Sequence, residues 1–391
     1  MSTATVDVSP LFRAIDVRGL TLANRIVMSP MTREFADEGV LTQPVGEYYA
    51  RRAAGGVGLI VTEGTSIDHV VSHYSRKVPN FYGDAALARW REVVEKVHAA
   101  GGKIVPQLWH TGVARRRKST QNPELPSQSP SGVGMEQLGP DSADRDAVVK
   151  ASRVPPVAME IADIEAVIQA FGEAAAQAKA VGFDGAAVHG AHGYLPDQFL
   201  WERSNRRTDQ YGGSFENRLR FALEMVREMR HRVGPHFPII LRFSQWKGWD
   251  YGAKLAHDPA ELERLLLPLV DAGVDIFDAS TRRFWLPEFE GSPLNLAGWA
   301  KKITGKTVMT VGSVGLESPL GDLEAGNRIG VSTSNLAKLI EMFERGDFDL
   351  VGVGRALLVN PEWANLVREG RFEALQPYDA EAIKGSLEPV S

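Results

Sequence analysis

The chain has 391 residues, 43% hydrophobic and 24% charged, with a formal net charge of −5. That is a globular composition with ample material for a core, and the acidic balance argues against a nucleic-acid binder. The absence of cysteine excludes disulfides, thiolate zinc sites and cysteine-ligated iron–sulfur clusters.

No apolar stretch reaches membrane-spanning length, and the first seven residues lack the basic and apolar parts of a secretory signal. A cytoplasmic protein with no membrane partner is therefore expected. Within residues 1–24, Leu11-Phe12 and Leu20-Thr21-Leu22 are expected to pair as a hairpin. Eight short apolar runs follow, at 25–28, 58–62, 103–108, 185–188, 238–242, 276–278, 307–311 and 350–353. Their hydrophobicity is continuous rather than alternating, as strands covered on both faces require. Helical spacing separates them. Leu219, Ala222, Leu223, Val226 and Val233 form one such stripe, with Ser214 placed to cap it, Glu216 in its first turn and Gly234 to end it. Eight βα units predict an α/β protein, a (β/α)8 TIM barrel closed below by the hairpin, with a doubly wound sheet as the alternative. The expected organisation is one domain over 1–391. Residues 1–24 would cap it and 366–391 would trail as a tail. Residues 112–160, rich in Pro, Ser, Gly and Gln, would make a long excursion after the third strand, containing a small hairpin.

In such a barrel the chemistry lies at the carboxyl ends of the strands. The fourth run leads into His189-Gly190-Ala191-His192-Gly193-Tyr194. Two imidazoles and a phenol within six residues suit a carbonyl whose oxygen gains charge during reaction. Elsewhere the runs deliver Ser29-Pro30-Met31-Thr32-Arg33, Glu63-Gly64, Gln107 with Trp109-His110, and Arg242. The last two end in Gly312-Ser313 and Gly354-Arg355. Glycines and an arginine after strands seven and eight suit a phosphorylated ligand.

Together these motifs resemble the old yellow enzyme family of FMN-dependent ene-reductases. The resemblance is carried by the stretch 24–33, Pro106-Gln107-Leu108-Trp109-His110 and His189-Gly190-Ala191-His192-Gly193-Tyr194-Leu195. It continues through Gln198-Phe199-Leu200, the 209–218 segment, and Val353-Gly354-Arg355 with Asn360-Pro361, in family order from about residue 10 to about 365. It implies non-covalent FMN, NADPH or NADH as reductant, and a small electrophilic alkene as substrate: an α,β-unsaturated carbonyl or nitro compound. It further implies that His189 and His192 bind the substrate oxygen, with Tyr194 giving a proton to the α-carbon in a ping-pong cycle. Pro30, Met31, Thr32, Gly64, Gln107, His189 and Arg242 would meet the flavin, and Gly312, Ser313, Gly354 and Arg355 its phosphate. Trp109 is expected to line the substrate pocket, and Phe284 and Trp285, in the loop after the sixth run, either line it as a lid or only cover the barrel mouth. Thr32 stands where one branch of the family has Cys. The other readings within the family are nitro or nitrate-ester reduction and amine oxidation, and outside it a flavin-binding protein without turnover. Either a monomer or a homodimer fits.

Plainer readings stand beside these. His189 and His192 lack a third ligand, so no metal is expected. Arg242 has room to pair with an acidic neighbour inside the barrel. The run Arg115-Arg116-Arg117-Lys118 reads as a solvated loop face sooner than as a contact for the extra phosphate of NADPH, and the 209–218 segment as structural.

Overall fold

A computed structural model describes residues 6–138, 155–318 and 328–388. The eight apolar runs form eight parallel strands closed into a barrel. They are β1 (Ile26–Met28), β2 (Leu59–Ser66), β3 (Ile104–Trp109), β4 (Ala186–His189), β5 (Ile239–Phe243), β6 (Ile276–Ser280), β7 (Thr307–Val311) and β8 (Leu350–Val353). Each pairs with its successor, and β8 pairs with β1 through Val351 and Ile26. Among the described residues, the helices between and after the strands include α1 (Pro44–Ala54), α2 (Asp84–Ala99), α3 (Ile161–Val181), α4 (Phe215–Val233), α5 (Pro259–Ala272), α6 (Leu296–Thr304), α7 (Thr333–Glu344) and α8 (Trp363–Arg368). Among the described residues no helix is long and apolar enough to cross a membrane. Helix α4 carries the expected stops: the Ser214 side chain accepts from the Asn217 amide, and Gly234 closes the last turn.

The barrel interior explains how strands buried on both faces still position a site. Val27, Leu59, Val61, Val105, Ala187, Ile240, Ile276, Met309 and Leu350 pack together inside it. Because side chains alternate across a strand, the next inward residues toward the carboxyl end are Ser29, Gln107, His189, Arg242, Asp278, Val311 and Gly352. The register aligns His189 with Arg242 and Arg242 with Asp278. The top layer of the barrel is thus largely polar, set directly on an apolar one.

One expectation is corrected, and another falls partly outside the described residues. The amino-terminal hairpin exists, but Leu20–Leu22 pairs with Ile15–Val17. Leu11 and Phe12 lie instead in a short 3-10 turn, Ser9–Phe12, whose Pro10 fixes a helical φ. Val17, Leu20 and Leu22 join the interior cluster and seal the lower end. In the excursion, Gln128–Ser129 pairs with Val157–Ala158 in parallel, so this pair is not a hairpin; residues 139–154 lie outside those described.

Candidate active site

A cavity of about 200 Å3 opens at the carboxyl ends of the strands, bordered by Ser29, Pro30, Met31, Arg242, Gly312, Ser313, Gly354 and Arg355 among others. Beside it the fourth strand turns sharply. His192 has φ +62° and Gly193 φ +86°, a left-handed pair that a non-glycine residue adopts only when its surroundings hold it there. The turn brings three rings together. The His189 and Tyr194 centroids are 4.5 Å apart, those of His189 and His192 5.0 Å, and the Tyr194 edge meets Trp109 at 4.8 Å. Trp109 stacks on Tyr74 and faces His189. A Cβ at position 64 would strike the Trp109 ring at 2.3 Å, so Gly64 is what lets this indole lie flat across the strand.

Electrostatics set the protonation states. Burial, with the Arg242 charge, holds both imidazoles well below the ordinary histidine range. Both are neutral at pH 7, with one N–H each. Burial pushes the Tyr194 phenol up, so it keeps its proton. His192 Nε2 shares a 2.8 Å hydrogen bond with Ser280 Oγ, its ring stacks on Trp246, and Ser244 Oγ accepts its backbone N–H.

In the cavity wall and the barrel layer beside it lie polar groups whose needs the protein leaves unmet. Ser29 Oγ, Gln107 Nε2, His189 Nδ1, Arg242 Nε and Arg355 Nη1 are buried without a hydrogen-bond partner. Arg242 Nε lies 3.3 Å from Asp278 Oδ2 as an ion pair out of hydrogen-bond alignment, so the acidic neighbour exists without satisfying it. Burial raises Asp278 to about 6. An amide and a cation beside an open cavity fit the acceptor-rich pyrimidine edge of a flavin. Arg355, with Gly312, Gly354 and Ser313 (φ +58°), fits its phosphate; Ser313 Oγ accepts from Arg355 at 3.3 Å. Buried donors without partners are costly, and an FMN-shaped ligand would satisfy this set.

The expected residues divide unevenly. His189, His192, Tyr194, Trp109, Gln107, Arg242, Pro30, Met31, Gly312, Ser313, Gly354 and Arg355 gather at this end of the barrel. Thr32 follows Met31 there and is exposed. Phe284 does not join them: it is fully buried in the outer core, its N–H held by the Gly312 carbonyl and its carbonyl by Asn295. A ring that buries this completely contributes packing. Trp285 borders a separate cavity with Glu317, Ser332 and Lys338. In the basic run Arg116 and Lys118 are exposed as expected, but Arg115 is not: it is buried and donates to Leu125 O, Thr120 Oγ1 and Asn122 O. The exposed Arg116 lays its guanidinium over the Tyr74 ring.

Sequence reading missed Trp246 and Ser280, and named Glu63 without a role. Trp246 and Ser280 stand at or just past the ends of the fifth and sixth strands, a position that would have flagged them. Glu63 carried that strand-end signal, but nothing in the sequence showed what its carboxylate holds. It sits in a bulge of β2 between Val61 and Gly64, where one oxygen accepts the amides of Arg33 and Glu34. That tethers the loop bearing Thr32, and burial raises the carboxyl to about 7.

Comparison with known proteins agrees with this geometry. The model of the NADH:flavin oxidoreductase / NADH oxidase family matches residues 10–374. An NADH oxidase of Thermoanaerobacter brockii is 34% identical over 92% of this chain, which spans about half (51%) of that longer protein. Chanoclavine-I aldehyde reductase fgaOx3 of Penicillium roqueforti is 32% identical over 94% of this chain and 91% of its own. The solved old yellow enzyme of Pichia sp. AKU4542 superposes with a TM-score of 0.78 at 27% identity, covering 98% of this chain and 92% of that one. The chain belongs to the NADH:flavin oxidoreductase / NADH oxidase family, that of the old yellow enzymes, NAD(P)H-dependent oxidoreductases that hold FMN without a covalent bond.

Proposed function

We propose that the protein is an ene-reductase, taking hydride from NAD(P)H and delivering it to the C=C bond of an α,β-unsaturated carbonyl or nitro compound. The observation that carries this reading is the convergence of two neutral imidazoles and a protonated phenol in one wall of rings beside the cavity. FMN, when bound, supplies the hydride. His189 and His192 then hold the substrate's carbonyl or nitro oxygen. For His192 to offer an N–H from Nδ1, the Ser280 hydroxyl must donate to Nε2, a role its 2.8 Å contact permits. As the β-carbon accepts hydride, negative charge moves onto that oxygen, and one preorganised donor there is worth about 3 kcal/mol. Tyr194 completes the reduction by passing its proton to the α-carbon. A phenol held above its ordinary pKa is loaded for this task at neutral pH. The reductant and the alkene meet the same wall in turn, which makes the cycle ping-pong.

Tyr194→Phe tests the assignment. Alkene reduction should slow by about 100-fold or more, while bleaching of the flavin by NADPH in the other half-reaction keeps its rate. Equal rates in both half-reactions would remove Tyr194 from the mechanism.

A further inference from the structure

Behind the catalytic turn lies a buried ion pair that the proposed mechanism does not use. Asp197 and Lys247 have fully buried side chains, with Nζ 2.8 Å from Oδ1. The second carboxylate oxygen, Oδ2, accepts the Gly193 N–H at 2.6 Å. Lys247 also donates to the Gln245 carbonyl at 3.0 Å, and the Trp201 ring lies 5.6 Å from Nζ.

These contacts close a circuit around one peptide group. The Gly193 N–H goes to Asp197, while the His192 carbonyl of the same peptide accepts the Gly248 N–H at 2.9 Å, next in chain to Lys247. The following carbonyl, that of Gly193, accepts from Gln198 Nε2 at 2.6 Å. Every polar backbone atom from the His192 carbonyl to the Gly193 carbonyl is therefore held from outside the turn. That is what a left-handed, non-glycine His192 demands. The helix Leu195–Leu200 that supplies Asp197 and Gln198 begins just after Tyr194. The segment that supplies Lys247 also carries Trp246, stacked on His192. The pair ties the two together.

We infer that Asp197 and Lys247 are positioning residues for alkene reduction: the carboxylate fixes the turn that aims His192 and Tyr194, and the ammonium compensates the charge it needs to sit there. This rests on the roles proposed above for His192 and Tyr194. A carboxylate alone at this depth would be heavily penalised, and so would an ammonium alone. A neutral acceptor opposite a neutral partner would not. The charges are thus required by each other, and the hydrogen bond to Gly193 is required by the site.

That distinction gives the test. Asp197→Asn with Lys247→Met removes both charges but keeps an acceptor for Gly193; Asp197→Leu with Lys247→Met removes the acceptor as well. Both are prepared as FMN-loaded protein and assayed for NADPH-driven reduction of cyclohexenone. The first should turn over within a few-fold of the parent, and the second should lose about 10- to 100-fold in kcat/KM for the alkene at equal FMN content. Each pair is then rebuilt with His192→Ala, where the gap between them should shrink, because the turn has lost one of the groups it aims. Equal kcat/KM for the two neutral pairs would overturn the inference, as would an undiminished gap in the His192→Ala background, which marks a general structural role. If the leucine variant fails to retain FMN, Asp197→Ala with Lys247→Met carries the same comparison. Should His192→Ala alone leave alkene reduction unchanged, the reading of the site itself fails instead.

Discussion

The two ends of this barrel are built from the same strands and do opposite things with them. At the amino-terminal end, Val17, Leu20 and Leu22 of the hairpin lie on Leu59, Ile276, Leu350 and their neighbours, an apolar plug on an apolar interior. At the carboxyl end, two residues further along the same inward-facing rows, the side chains become Gln107, His189, Arg242 and Asp278, several with buried polar atoms that no protein group satisfies. One end contributes burial; the other holds unmet hydrogen-bonding capacity in place for a ligand. The contrast shows where this molecule spends stability. Unpartnered buried polar atoms are tolerable at one end because the other end and the outer helices are closed without them.

Breaking the closed end should therefore cost stability and leave chemistry alone. Leu22→Ala, at a fully buried position, should lose about 2–5 kcal/mol of folding stability. Turnover per bound FMN should be unchanged; chemical denaturation and flavin-normalised assays read the two separately. Arg355→Ala acts at the open end and should do the reverse. FMN affinity should weaken by about 10-fold or more, the worth of a charge-assisted hydrogen bond, while the melting temperature of the FMN-free protein stays near the parent's. The smallest effect concerns Glu63, whose carboxyl is raised by burial from an ordinary 4.5 to about 7. Below pH 4.5 the group is protonated in both folded and unfolded chains. Between about 4.5 and 7 the unfolded chain ionises first, so this residue costs stability increasingly as pH rises. Glu63→Gln keeps an acceptor for the Arg33 and Glu34 amides and removes that cost. Its melting temperature relative to the parent should climb between pH 5 and pH 8; a constant difference would contradict the buried, raised carboxyl.

The fold was legible because continuous apolar runs at regular separation leave few alternatives once there are eight of them. The core of the site was legible for a related reason. His189, Gln107 and Arg242 are polar residues at the ends of apolar strands, and the motif around His192 and Tyr194 takes its meaning from the ordered set of motifs around it. What stayed hidden depends on the path of the chain between elements. Pro10 moved the hairpin's first strand from Leu11-Phe12 to Ile15–Val17. Phe284 resembles a loop aromatic in sequence, yet the Gly312 carbonyl draws its backbone in and the ring buries. Arg115 stands in a basic run but finds three oxygen acceptors within ten residues. Asp197 and Lys247 are 50 residues apart, and nothing local marks them as partners.

The central claim, that the open end holds FMN and passes hydride from NAD(P)H to an activated alkene, meets its most direct test in an anaerobic visible spectrum. The purified protein is titrated with NADPH and then with cyclohexenone. The account predicts an oxidised flavin band that bleaches with NADPH and returns with the enone. A band that bleaches and stays bleached would contradict the alkene as acceptor, and a protein that binds no flavin even after reconstitution would contradict the account as a whole.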